Sequence, residues 1–500
     1  MRDSLFHLRR VENASLQSQI REMLVSSILE GRIPSGEPLP SSRRMAQILG
    51  VSRNTIVLTY QGLVDDGYLT ARERSGFYVD PTILDGRAPS GPRIEQESLD
   101  RPAWPERFRV RPSLQENIVK PLDWRAYRFP FIYGQVDQEL FPIGAWRECS
   151  RQALGRKGMD AWTSDAREND DPMLVEQIRT RLLPRRGIYA DTNEILITLG
   201  AQNALYILAS LLMSAETTVA MEEPGYPDAR NIIALKTGQM KLLPVDDRGL
   251  PVDFRLHDVN YVYTTPSHQF PSTATMPLER RQELLKYAAE HDFVIIEDDY
   301  EAETNYVSDP TPALKTLDTD GRVIYVGSFS KSLFPGLRLG YLVAPAELIA
   351  EARALRRLML RHAPTNNQRT AALFLSLGHH DTLVHRLQRV YRERWQEMGA
   401  ALKKYFPDST RMPTFGGTSI WLRIPESINA VELSRAAEAE GVLIEPGTVH
   451  FGSENPPQNF LRLGFSSIPT DRIGPGIHKL AEIIDKHQRS ARLSSPTLAR

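Results

Sequence analysis

Cysteine is almost missing from this chain. Cys149 is the single one in 500 residues, so no internal disulfide can form and no thiolate metal cluster can be assembled. That usage fits a reducing compartment. Long apolar runs are missing as well. No stretch approaches the roughly 20 residues that span a bilayer, and Met1-Arg2-Asp3-Ser4-Leu5-Phe6-His7 lacks the apolar core of a signal peptide. A cytoplasmic location without membrane contact is the expectation. Nor is one sign of charge in excess: 61 Lys and Arg against 62 Asp and Glu give a net charge of -1, so the chain as a whole has no pull toward nucleic acid. Neither an internal repeat nor a low-complexity tract is visible. Length is what the chain has, and 500 residues exceed one ordinary core, so at least two domains are expected.

Residues 14–80 read as a compact first unit. Leu16, Ile20, Met23, Leu24 and Ile28 recur at helical spacing and Gly31 follows as a stop. After the turn-rich connector Ile33–Pro40, Ser41 or Ser42 caps a short helix running to Leu49. Gly50-Val51 forms a turn, and Ser52 caps a third helix carrying Ile56, Val57, Tyr60, Leu63 and Val64 on one face. Two extended runs, Tyr68–Thr70 and Gly76–Val79, flank a five-residue loop. Helix, helix-turn-helix and hairpin make the plan of a winged helix-turn-helix.

Charge is distributed to match. Between Pro38 and Val64 stand Arg43, Arg44 and Arg53, with no acidic residue. A recognition helix sets its N-terminal residues at base edges in the major groove, and here those are Ser52, Arg53, Asn54 and Thr55. Arginine pairs bidentately with guanine and asparagine with adenine. Arg72 and Arg74, at the hairpin tip, can reach flanking backbone. Tyr60 reads as core. The expected partner is double-stranded DNA.

From 81 to 121 the composition changes: seven prolines and few apolar runs read as an interdomain linker. From 122 to 490 short β-branched runs alternate with helical patterns. Glu194–Thr198, Thr218–Met221, Tyr261–Thr264, Phe293–Ile296 and Arg322–Val326 are the clearest. They argue for a mostly parallel α/β sheet. Near residue 385 the pattern shifts to a long helix and then a smaller α+β segment through Ile484.

Chemistry concentrates at the ends of those strands. Lys331 stands in Ser328-Phe329-Ser330-Lys331, and Arg338 follows seven residues later. An amine framed by hydroxyls and a guanidinium suits an aldehyde cofactor with a phosphate: the amine forms a Schiff base and the others hold the phosphate. The turn Gly200-Ala201-Gln202 opens a helix whose N–H groups can also face phosphate. Tyr226, in Glu223-Pro224-Gly225-Tyr226, offers an aromatic face to a planar ring. Asp298 can keep a pyridine nitrogen protonated, with Tyr300 near the ring hydroxyl; Asp299 and Glu301 read as a solvated acidic loop. His268 and Gln269 lie where polar groups could meet the ring oxygen. All stand where ligands bind in open α/β sheets.

Two resemblances follow from these motifs. Ile28-Leu29-Glu30-Gly31-Arg32-Ile33-Pro34-Ser35-Gly36, Leu39-Pro40-Ser41-Ser42-Arg43 and Leu49-Gly50-Val51-Ser52-Arg53-Asn54-Thr55 resemble the winged helix domain of GntR-type repressors. That likeness implies that Arg43, Ser52, Arg53 and Thr55 lie at DNA. The later motifs resemble the fold-type I aminotransferases, which use pyridoxal 5'-phosphate. They imply an internal aldimine at Lys331, Asp298 at the pyridinium, Tyr300 at the ring hydroxyl and Tyr226 stacked on the ring. Ser328, Ser330, Arg338 and Gly200-Ala201-Gln202 would hold the phosphate, and Arg462 would clamp a ligand's acidic group. Together the halves resemble the MocR/GabR regulators.

That resemblance implies a regulator that senses an amine or amino acid by aldimine exchange at Lys331, working as a head-to-tail homodimer. GABA, taurine or a related amino acid would be candidate effectors. The alternative is a working amino-acid aminotransferase with an attached DNA-binding domain. Two departures weigh against efficient transamination: His268 and Gln269 stand where aminotransferases commonly have asparagine, and Thr273 replaces a usual glycine.

Overall fold

The computed structural model describes residues 6–8, 14–85, 102–134, 136–159, 163, 169–307, 311–407, 412–413 and 416–494. The chain divides into two compact units, 1–107 and 108–500.

In the first unit, α1 (Leu16–Leu29), α2 (Ser42–Leu49) and α3 (Arg53–Asp65) precede the antiparallel strands β1 (Leu69–Arg72) and β2 (Gly76–Val79). Each helix starts on a serine. Ser15, Ser41 and Ser52 accept the backbone N–H of Ser18, Arg44 and Thr55 at 3.1, 3.3 and 3.1 Å, a cap worth about 1 kcal/mol each. Gly50 ends α2 at φ 61°, a left-handed conformation that a side chain resists. Ile20, Leu24, Ile28, Met45, Ile56, Tyr60 and Leu63 close one apolar core. Tyr60 belongs to it, and its hydroxyl donates to the Pro40 carbonyl at 2.9 Å.

The second unit is built on a seven-stranded sheet. Its strands are β4 (Ile195–Thr198), β5 (Val219–Glu223), β6 (Met240–Pro244), β7 (Tyr261–Thr264), β8 (Val294–Asp299), β9 (Val323–Ser328) and β10 (Gly340–Val343). They lie in the order β4-β10-β9-β8-β7-β5-β6. Strand β10 runs antiparallel to both neighbours and the other pairs are parallel. Strands β4, β9 and β10 are buried throughout because both faces of the sheet are covered there, as parallel sheets require.

A four-stranded sheet completes the unit. It contains β11 (Ser419–Arg423), β12 (Val442–Pro446) and β13 (Phe460–Gly464), and its order is β11-β13-β12-β3. The edge strand β3 (Phe129–Phe131) pairs parallel with β12, so the smaller segment draws on chain from before the large sheet as well as after it. The long helix spans His379–Tyr405.

The segment 81–121, read as linker, is not uniform. Its part from Phe108 onward belongs to the second unit, and residues 86–101 lie outside the described part. Gln115 Nε2 donates to the Asn231 carbonyl at 3.1 Å, and Asn231 Nδ2 donates to the Glu116 carbonyl at 2.9 Å. Among the described residues no helix is long and apolar enough to cross a membrane.

Candidate functional site

The C-terminal ends of five strands converge on one cavity of about 200 Å³. Strand β4 leads into Ala201 and Gln202, β5 into Tyr226, β7 into Thr265, β8 into Asp298 and Tyr300, and β9 into Ser328, Ser330 and Lys331; Arg338 completes that side. Gly200 lies just behind, capping the helix Ala201–Leu212. A methyl group there would come within 3.2 Å of the Arg338 guanidinium, so the glycine lets that arginine close on the helix N-terminus. Ser330 N donates to Ser328 Oγ at 3.2 Å, and Arg338 Nη2 to the Leu199 carbonyl at 2.8 Å. Two hydroxyls, a guanidinium and a helix N-terminus thus share one end of the cavity, a combination that suits an anion.

Asp298 stands on the cavity wall with one oxygen engaged. Its Oδ2 accepts the Tyr263 hydroxyl at 2.8 Å, while its Oδ1 is buried without a partner. Burial pushes its pKa up to about 7, against the Tyr263 hydrogen bond, with Asp299 and Glu222 adding repulsion. An unpartnered carboxylate oxygen in a dry wall costs free energy unless a donor or cation meets it. Lys331 is shifted the opposite way. Burial holds its ammonium down to about 7, Glu301 opposes that, and Lys120 and Arg462 reinforce it.

Several contacts in this wall join residues far apart in the chain. Tyr133 packs beneath Lys331, whose Nζ is 3.8 Å from its ring centre, and donates its hydroxyl to Glu301 Oε1 at 2.9 Å. The Arg462 guanidinium carbon is 3.4 Å from the Tyr133 ring centre and 3.9 Å from that of Phe270. Arg462, expected at the ligand's acidic group, does not line the cavity itself but is fully buried against the Tyr133 and Phe270 rings that do; Nε donates to Ser419 Oγ at 3.2 Å, and Nη1 and Nη2 have no hydrogen-bond partner. Lys120, which no sequence pattern singled out, reaches the cavity from the stretch read as linker.

Three readings need correction. The His268 imidazole is not on the cavity wall. It is buried with Nε2 3.5 Å from Glu301 Oε2, packed where a side chain at Gly417 would collide with it; its carbonyl accepts the Tyr300 hydroxyl at 2.9 Å. Gln269 points its amide away, to Glu222 Oε2 and the Pro224 and Phe270 carbonyls. Asp299 and Glu301 are not solvated. Asp299 accepts Arg186 Nε at 2.7 Å and Tyr325 at 2.9 Å, and Glu301 accepts Tyr133 and Thr418. The pocket loop also carries Thr273 at φ 68°, where a β-branched residue is strained.

In the first unit, Arg43, Ser52, Arg53, Asn54 and Arg72 are exposed and Thr55 is half-buried. Arg53 Nε lies 3.5 Å from Ser42 Oγ, bringing the starts of α2 and α3 together. Ser52 and Thr55 share a 2.8 Å hydrogen bond between their hydroxyls. Arg72 lies over the Tyr78 ring, 4.2 Å from its centre.

Sequence and structure comparisons fit both units. Residues 16–79 match the family described as bacterial regulatory proteins, gntR family, and residues 169–480 match aminotransferase class I and II. The HTH-type transcriptional regulator TauR of Rhodobacter capsulatus is 45% identical over 96% of this chain and 98% of its own length. The chain belongs to the MocR/GabR-type regulators. The probable rhizopine catabolism regulatory protein MocR of Rhizobium meliloti is 31% identical over 95% of this chain and 94% of its own.

Like these relatives, this MocR/GabR-type chain is a DNA-binding regulator with an aminotransferase-like second unit of fold type I. Among solved structures, Pyrococcus horikoshii kynurenine aminotransferase, in complex with PMP, is 27% identical with a TM-score of 0.68, covering 76% of this chain and 98% of that one. LysN of Thermus thermophilus, an α-aminoadipate aminotransferase complexed with N-(5'-phosphopyridoxyl)-L-leucine, is 27% identical with a TM-score of 0.69. That match covers 78% of this chain and all of LysN.

Proposed function

We propose that this regulator holds pyridoxal 5'-phosphate in the cavity at the strand ends and uses it to sense a primary amine that also carries an acidic group. The observation that carries the reading is the convergence of Lys331 and the unpartnered Asp298 Oδ1 on one cavity. The residues present fit the cofactor. Asp298 Oδ1 would take a protonated ring nitrogen, which would satisfy an otherwise costly buried oxygen. Tyr226 offers its face to the ring. Ser328, Ser330, Arg338 and the Gly200-Ala201-Gln202 turn take the phosphate. The phosphopyridoxyl compounds held by the two solved aminotransferases support this. When bound, the cofactor supplies an aldehyde carbon that condenses reversibly with amines.

The chain's own residues then set selectivity and reactivity. Burial lowers the Lys331 pKa to about 7, so that a large share of the side chain is free amine at neutral pH. Arg462, buried against the Tyr133 and Phe270 rings of the cavity wall, keeps two N–H groups without a partner that would suit a carboxylate or sulfonate. Coupling to DNA requires that an acidic amine held at this site bind one state of the unit better than another. A head-to-tail homodimer would present two first units to paired half-sites on an operator. The test is the visible spectrum of the purified protein before and after borohydride, with mass mapping. A chromophore fixed onto Lys331 is expected; a colourless protein that takes up no pyridoxal phosphate would overturn the reading. Sustained turnover with a keto acid acceptor, independent of DNA, would instead mark a working aminotransferase.

A further inference from the structure

Lys120 stands in a proline-rich stretch that looks like tether, yet its side chain forms part of the cavity wall with Tyr133, Gly134 and Lys331. Both amines press on the same point: a methyl on Gly134 would lie 2.9 Å from Lys331 Nζ and 3.3 Å from Lys120 Nζ. Lys120 donates to the Tyr133 carbonyl and lies 3.5 Å from Glu445 Oε1, which also accepts the Tyr133 N–H at 3.0 Å. Arg462 and Lys120 face the same Tyr133 ring, at 3.4 and 5.6 Å from its centre. Two cations, Lys120 and Arg462, and the Lys331 amine thus gather around one aromatic ring. Of the two carboxylates among them, Glu301 accepts Tyr133 and Thr418 through Oε1, and its Oε2 lies 3.5 Å from His268 Nε2. The buried Nη1 and Nη2 of Arg462 have no partner. The unpartnered guanidinium edges and the Lys120 amine on the cavity wall suit a ligand's acidic group.

We propose that Lys120 is a specificity-determining residue that binds the effector's acidic group as the second cation beside Arg462. The segment leading from the DNA-reading unit is thereby part of the effector site. The proposal rests on the amine-sensing reading above. Anchoring of this segment fits the role. Gln115, Glu116 and Asn117 are tied to Asn231 on the helix Pro227–Ala234, whose N-cap is Tyr226 of the cavity wall. Between that anchor and Lys120 the chain has no helix or strand to stiffen it. An acid that draws on Lys120 competes with the Tyr133 carbonyl and Glu445 for its N–H donors, and so acts directly on the segment.

The test titrates the cofactor-loaded full-length protein, wild type, Lys120→Met and Lys120→Arg, with 4-aminobutanoate, 2-aminoethanesulfonate and n-butylamine, following cofactor absorbance. Wild type is expected to bind at least one acidic amine more tightly than butylamine. Lys120→Met should weaken that acid about ten- to hundred-fold, as loss of one charge-assisted hydrogen bond does, and affect butylamine far less; Lys120→Arg should keep most of the preference. Hydrogen exchange at residues 115–122 should slow on binding the acid in wild type and not in Lys120→Met. Equal weakening of acid and butylamine, no weakening, no preference in wild type, or unchanged exchange would each overturn the proposal. Failure of wild type to form the chromophore would strike the amine-sensing reading instead.

Discussion

The two units use polar side chains in opposite ways. In the first, Arg43, Arg53, Asn54 and Arg72 stand exposed over a small apolar core. In the second, Asp298, Asp299, Glu301 and Arg462 are buried, each held through part of its polar atoms by nearby hydroxyls or, for Asp299, also by Arg186, while Asp298 Oδ1 and the Arg462 Nη atoms are left without a partner. The difference follows from what each unit meets. DNA is a broad polyanion that comes to a surface, so affinity is a sum of exposed contacts that salt can screen. A small molecule has to be enclosed, and enclosure is what moves Lys331 and Asp298 from opposite ends of the scale to about 7. Residues that recognise by display tolerate change around them; those that react by burial depend on every neighbour.

The largest test of this contrast is Lys331→Ala. Covalent cofactor attachment should vanish, read as no borohydride-stable mass increment, while operator affinity without effector stays within roughly twofold because Lys331 belongs to the second unit and no effector is present to shift it. Loss of DNA binding as well would break the separation of display from enclosure. Arg53→Ala should do the reverse. Operator affinity measured by fluorescence anisotropy should fall by about 1–3 kcal/mol, with the cofactor spectrum unchanged.

A pH series sharpens the enclosure side. The neutral amine is the reactive form, and burial lowers its pKa from 10.5 to about 7. Loading of cofactor-free protein, followed by absorbance, should therefore speed up about tenfold per pH unit below 7 and level off above it. A rate that kept climbing well into the alkaline range would show an amine that burial has not tuned. The smallest effect is expected at Thr273, held at φ 68°. Thr273→Gly should stabilise the second unit by about 0.5–1 kcal/mol in thermal unfolding, since glycine takes that conformation without strain.

The first unit was almost wholly legible because its determinants are local. Serine caps, the Gly50 turn and the arginine spacing act within a few residues of themselves. The cavity was legible only where a motif follows directly on a strand: Lys331, Asp298, Tyr226 and the Gly200 turn. Groups that arrive from far along the chain carried less: Phe131-Ile132-Tyr133-Gly134 resembles the entry to an aminotransferase site, but nothing in it names the partner of Tyr133. Tyr133 and Glu301 meet across 168 positions, and that partner turns an acidic residue expected in solvent into a buried one. Tyr263 looks like any strand aromatic until its hydroxyl is seen on Asp298. Lys120 was hidden by the prolines around it, and His268 was misplaced because a loop sequence does not say which side its ring turns to. Composition could not show that β3 would cross to the smaller sheet, since parallel pairing with β12 is set by tertiary packing.

Coupling between the two units is the central claim, and one titration tests it most directly. Full-length, cofactor-loaded protein is bound to a fluorescent duplex selected from random sequence, and an acidic amine is added while absorbance and anisotropy are read together. Coupling predicts that DNA affinity changes over the same amine concentrations as the cofactor spectrum, and that Lys331→Ala shows neither change. A spectrum that shifts to completion while DNA affinity stays constant would contradict it.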